Sequence, residues 1–295
     1  VPDGLIEYCD SVDFPLYTIP WETRIVDITY EFCHHIVADE KKSRTVADTF
    51  IYAINNPLKE DGYKAELKKS GFTEGEEYSI AAVKLSVSDD RRMENLDRTA
   101  RYNIARRLNG YSLRHSVFNL DKLIIVICQG IGRDDFEQEM KNQAEAMNMS
   151  FPGDLICIGT GPRSNSGGDL SVAYKKAVSV VKLAESFKTE FMSYSKTGAY
   201  KLLMSVENKN SLTDYYNECL GRLIEYDSKN KTDYISTLRC YLENDSSISE
   251  VARITYVHRN TVNYKIKKIK EILDCELTQK DKLMLTLAFM TERII

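Results

Sequence analysis

Near the end of the chain, from Ser249 to Lys270, the apolar positions fall into two helical stripes separated by a gap that leaves room only for a turn. The second stripe is Val262, Ile266, Ile269 and Leu273, which share one side of a helix at 3.6 residues per turn. The first stripe is short and centres on Val251. Ala252 is small where two helices must approach closely, and Val257 is placed to plug the turn. A short helix, a tight turn and a longer helix, here residues 259–273, form the arrangement by which a compact domain presents one helix to the DNA major groove.

Further upstream the period changes. Residues 79–87 alternate as a strand, 91–108 are helical, and 113–119 with 122–128 pair as a hairpin around Asn119-Leu120-Asp121. Residues 136–147 are helical again, 155–159 read as strand, and 170–184 as a helix with Ala177, Val180, Val181 and Ala184 on its apolar side. This order predicts an α+β sandwich with helices on one sheet. At the start, a helix to about Asp10 precedes a short strand over 16–19, a Pro20 turn and a helical period through Ile25, Ile28, Phe32 and Ile36. That pattern breaks at Asn55-Asn56-Pro57, and 61–71 read as a charged helix closed by a glycine. Between the sandwich and the C-terminal helices come a strand-like 191–194 and helices over 199–204 and 213–226. Residues 227–231 then read as a flexible join.

Charge sharpens the C-terminal reading. The 295-residue chain is net negative at −4, yet Arg259, Lys265, Lys267, Lys268 and Lys270 are followed through that stretch by no acidic residue. Positive charge that is local in this way suits a phosphate-contacting surface. Opposite the apolar stripe lie Asn260, Asn263, Tyr264, Lys267 and Glu271, flanked by Lys268 and Arg259. Asn and Arg carry paired groups that match adenine and guanine edges, whereas Lys suits phosphates. The candidate DNA contacts are therefore His258, Arg259, Asn260, Thr261, Asn263, Tyr264, Lys267 and Lys268, with His258 as helix cap or phosphate contact and Thr261 as phosphate contact or cap. The plainer alternative is an amphipathic surface helix with a solvated Lys face, which the turn residues argue against.

The run Val257-His258-Arg259-Asn260-Thr261-Val262, with Tyr264-Lys265-Ile266, Ile269 and Leu285-Thr286-Leu287-Ala288, resembles the C-terminal helix-turn-helix domain of the PucR/CdaR family of bacterial transcription regulators. Residues 155–159 with Asp169-Leu170 and Ala173-Tyr174-Lys175-Lys176-Ala177 resemble that family's GGDEF-like central domain. Phe14-Pro15-Leu16 and Ile19-Pro20-Trp21-Glu22 resemble the closing part of its N-terminal domain. The resemblance implies residues 1–72 as the tail of an effector domain with connecting helices, 73–205 as a degenerate GGDEF-like α/β sandwich, and 206–295 as an all-α helix-turn-helix domain with a linker helix. It implies a cytoplasmic, effector-responsive homodimer on a double-stranded DNA operator, with a purine-derived small molecule as a family-level expectation for the effector. The chain opens on Val1 inside a helical pattern, as expected of a piece of a longer protein, and an effector pocket built from the absent front portion would be incomplete here.

Candidate catalytic chemistry is sparse. GGDEF domains are diguanylate cyclases, so the alternative reading is a metal-dependent nucleotide cyclase or nucleotide-binding protein with an accessory DNA module. Where that signature belongs, this chain has Phe118-Asn119-Leu120-Asp121-Lys122-Leu123, with neither a glycine pair for a guanine nor an acidic pair for a metal, and Ala82-Val83-Lys84-Leu85-Ser86 also lacks the carboxylate of two-metal chemistry. Gly167-Gly168-Asp169 falls in a loop before the last helix of the sandwich. Gly159-Thr160-Gly161, with Ser164 in place of a third glycine, reads as a flexible turn. Cys33-His34-His35 project about 100° apart on a helix and cannot readily share one metal. No enzyme activity and no cofactor are expected. Seven scattered cysteines without a C-x-x-C pair fit reduced thiols, and no apolar run approaches the roughly 18 residues of a membrane span.

Overall fold

A computed structural model describes residues 4–12, 14–59, 61–73, 75–87, 89–111, 113–164, 167–206 and 208–295. Helix α1 (Leu5–Ser11) is followed by extended chain, so residues 16–19 form no strand. Their side chains find no packed face to alternate against: Leu16, Tyr17 and Ile19 are all exposed. Helix α2 (Ile25–Asn55) carries two environments on one rod. Val46, Phe50, Ala53 and Ile54 are buried, whereas Ile25, Phe32 and Ile36 of the predicted stripe stand in solvent.

Helix α3 (Asp61–Lys69) leads to the sheet. Strand β1 (Tyr78–Ser86), helix α4 (Asp90–Gly110), the hairpin β2 (Arg114–Leu120) and β3 (Leu123–Gln129), helix α5 (Arg133–Ser150), β4 (Leu155–Thr160), α6 (Gly167–Ser186) and β5 (Phe191–Ser193) complete it. The strand order is β2-β3-β1-β4-β5. Each neighbouring pair among the first four strands is antiparallel, the split β-α-β arrangement of a ferredoxin-like sheet, and β5 adds a parallel edge. The hairpin turns on Asp121 and Lys122, both at positive φ, one residue beyond its predicted centre.

Helices cover both faces of this single sheet. Residues of α4 and α5 share one core with Ala81, Val83, Ile124 and Val126. The other core joins α6 to Ile80, Ala82, Ile125 and Ile127 and extends without a break into α2 and α3 through Phe50, Tyr63 and Phe72. Strand β3 is buried along its whole length, which is why it reads as a continuous apolar run instead of alternating. The segment expected to be a glycine-rich flexible turn is the end of β4: Gly161 N donates to Ile80 O at 2.9 Å, and Ser164 pairs with Tyr78. Gly159 is required there by close approach, since a Cβ would stand 2.4 Å from the backbone nitrogen of Val181 on α6. Gly167-Gly168-Asp169 opens α6 and is not a loop preceding it.

Helix α7 (Tyr200–Met204) and the long α8 (Lys209–Asn230) lead into α9 (Tyr234–Glu243), α10 (Ile248–Thr255), α11 (Arg259–Leu273) and α12 (Gln279–Glu292). The expected flexible join at 227–231 is instead the last turn of α8. Asp227 accepts from Thr232 Oγ1 at 2.5 Å, Tyr234 N at 3.0 Å and Ile235 N at 2.8 Å, so its carboxylate satisfies donors at the start of α9 and fixes the corner. Leu220 and Leu223 of α8 are fully buried in the same core as Val251, Val262 and Ile269. Composition alone marked this stretch as a linker, but its Asp is a cap.

Candidate nucleic-acid interface

Helix α10 begins at Ser247, whose Oγ accepts from Glu250 N at 3.3 Å, and stops at Tyr256 in the left-handed conformation. Val257 N then donates back to Ala252 O at 3.1 Å, which closes the turn and directs the Val257 side chain into the core. Helix α11 starts immediately: His258 has extended backbone, and its Nδ1 accepts from Asn260 N at 3.2 Å. His258 is thus the cap that the sequence suggested, and Thr261 does not cap this helix. Val262, Ile266 and Ile269 are buried against α8, α9 and α10, at roughly 1.5 to 3 kcal/mol for each large aliphatic side chain removed from water. They set the rotation of α11, and every residue on its far side is exposed as a result.

That rotation leaves His258, Arg259, Asn260, Thr261, Asn263, Tyr264 and Lys267 exposed, with Lys268 half-buried. Asn260, Tyr264 and Lys267 follow one another down the centre of the outward face. Glu271 occupies the next turn of that face, so the face is free of carboxylates over its first two turns and carries one beyond them.

The charges are less free than a count along the sequence implies. Lys265 Nζ binds both carboxylate oxygens of Asp233 at 2.6 Å and is only 18% exposed. Lys268 pairs with Glu271 at 2.7 Å and Lys270 with Glu276 at 3.2 Å. The hydrogen bond from Lys268 holds the Glu271 carboxyl below its ordinary value. Both partners are exposed enough that such a pair is weak and readily exchanged for a phosphate. Among the described residues, Arg259 and Lys267 make no ion pair, so they carry the unneutralised charge of the face. Sequence reasoning passed over Tyr256, whose ring is 94% exposed in the turn between the two helices. An aromatic residue at a turn was its only signal.

This geometry defines a helix-turn-helix DNA-binding domain. Residues 234–291 match the model of the PucR C-terminal helix-turn-helix domain. The chain thus carries at its C-terminus a helix-turn-helix similar to that of PucR-type proteins. Three relatives from Bacillus subtilis (strain 168) are similar over part of their length. The DNA-binding transcriptional activator AdeR is 31% identical over 125 residues, 41% of this chain and 30% of the relative. The proline-responsive transcriptional activator PutR is 34% identical over 126 residues, 42% of this chain and 31% of the relative. The purine catabolism regulatory protein is 38% identical over 94 residues, 32% of this chain and 17% of the relative. The matched stretch therefore spans less than a third of each.

Proposed function

We propose that this chain is a transcription regulator that places α11 in the major groove of an operator, as one of two copies on a two-fold site. The observation that carries the reading is the outward row Asn260, Tyr264 and Lys267, at the exposed N-terminal half of a helix whose rotation is fixed by a packed core. In this reading Arg259, Asn260 and Asn263 read base edges, Lys267 holds a phosphate, and Lys268 exchanges Glu271 for a phosphate. His258, Thr261 and Tyr264 contact the backbone beside them. A single small domain makes few contacts, and pairing addresses two half-sites about 34 Å apart. Residues 73–205 act in this scheme as a GGDEF-like signalling and dimerisation element. The turn residue Asp121, engaged by Tyr174 Oη at 2.9 Å, supports a structural role for that hairpin. The effector in this scheme is a small molecule; a purine is one class, and the relatives include both a proline-responsive activator and a purine catabolism regulator.

Selection of duplexes from a random pool tests the proposal. The chain should enrich a two-fold symmetric sequence. Asn260→Ala should then lose about 1 to 3 kcal/mol of discrimination at one position. Lys267→Ala should weaken all sequences together. No enrichment, or the same proportional loss of specific and non-specific binding in both variants, would overturn it.

A further inference from the structure

A cavity of about 480 Å³ opens where α2, the end of α3, α4 and the edge strand β2 meet. We propose that it is the binding site of a small organic carboxylate, which rests on the reading of this chain as an effector-responsive regulator. The size is that of a small-molecule site. Its walls carry three cationic or ionisable nitrogen side chains, Lys42 from α2 and Arg114 and His115 from β2, and among the described residues none that lines it is acidic. In a chain of net charge −4 this is a local inversion.

The cations are also unspent. Among the described residues neither Lys42 nor Arg114 makes an ion pair, although Arg and Lys side chains elsewhere on this domain, such as Lys84, Arg101 and Arg107, are each matched to a carboxylate. Arg114 lies over Gly71, which has φ +91, and a Cβ there would stand 3.3 Å from the guanidinium carbon. The glycine thus makes room for the guanidinium at the cavity. His115 is oriented by its Nδ1 at 3.0 Å from Leu113 O; that contact assigns the Nδ1 proton to the carbonyl and leaves Nε2 as a second polar group. Hydroxyls of Ser43 and Ser116 and the amide of Asn109 supply neutral donors, the Ser70 hydroxyl being spent on Glu66 O at 3.0 Å, while Val46 and Phe72 provide an apolar wall shared with the core beneath. Planar, paired donors on Arg114 suit a carboxylate in particular, and Lys42 approaches from another wall as a point charge.

The placement matters for signalling. Lys42 and Ser43 lie immediately before Val46, where α2 passes from its exposed half to its buried half. A carboxylate held between Lys42 and Arg114 ties that point of α2 to the edge of the sheet, and it shifts the protein toward whichever state keeps the two together.

Titration calorimetry on the 295-residue chain with succinate, its neutral analogue succinamide and inorganic phosphate tests the site. Succinate should bind saturably at one site per chain, succinamide should not, and Arg114→Gln and Lys42→Gln should each weaken succinate at least tenfold without changing the melting temperature. Hydrogen exchange should slow around residues 42–46 and 114–117 when succinate is added. Failure of succinate to bind, binding of phosphate alone, or equal binding by Arg114→Gln would overturn the proposal. Duplex binding measured on the same variants separates the two readings. Intact DNA binding without succinate binding sinks the cavity alone, and intact succinate binding without DNA binding sinks the regulator alone.

Discussion

At the scale of single residues, the same side chain type does different work on neighbouring turns of α11. Lys265 and Lys267 are equivalent by composition, but one is clamped to Asp233 and the other stands free. We expect Lys267→Ala to reduce the slope of log affinity against log salt by about 1. Lys265→Ala should leave that slope nearly unchanged and instead lower thermal stability, because Asp233 loses its partner beside the start of α9. A salt series on both variants, with melting curves, checks the pair; equal slopes for the two would contradict the assignment. The buried side of α11 was legible because a helical period is local. The pairing of Lys265 was not, since Asp233 lies 32 residues away and no local pattern announces it. The candidate contacts themselves came from the outward angles of α11, and the structure places seven of the eight in solvent.

Elements were legible where burial is one-sided or continuous and illegible where context decides. The strands of the central sheet and most of its helices follow from periodicity. The apolar run at 16–19 has strand-like composition but no neighbouring strand to pair with, so it stays extended chain. The contact of α6 on β4 is set by Gly159, and Gly159→Ala should destabilise the protein on the order of 3 kcal/mol, since backbone and not a movable side chain occupies the space. Urea unfolding measures it; a loss under about 0.5 kcal/mol would mean the helix can shift without cost. The same helix is tied to β1 by Glu185, which accepts from Lys84 Nζ at 2.5 Å and Ser86 Oγ at 2.8 Å. Burial alone would raise this carboxyl, but those two hydrogen bonds and the lysine charge outweigh it and hold it below its ordinary 4.5. A lowered folded value means the unfolded chain takes up the proton first, so the contribution is present above about pH 4.5 and is lost as pH falls through the folded value. Glu185→Gln should therefore cost stability at pH 7 and progressively less in acid, and parallel stability curves across that range would exclude the linkage.

At the scale of the whole molecule, the helical core that carries α11 is larger than the matched family segment. Residues 234–291 omit α8, yet Leu220 and Leu223 are among the most buried side chains of that core. A fragment of residues 209–295 should unfold cooperatively and bind duplex DNA, whereas 234–295 should show a weak, broad transition in circular dichroism. Equal melting of the two would show that α8 is dispensable. In α12 it is Leu285, Ala288 and Phe289 that fill this core, while Leu283 is exposed. Helix α2 has a mechanical consequence of its own. Its buried part begins at Val46, and the stretch from Ile25 to Thr45 projects roughly 30 Å at 1.5 Å per residue. Held at one end, it is a cantilever whose root lies beside Lys42. A tilt of about 5° at the root carries the tip through roughly 3 Å over that length. A displacement too small to disturb the packing around Phe50 therefore arrives at Ile25 as a shift comparable to the width of an atom, in a direction fixed by the edge of the sheet.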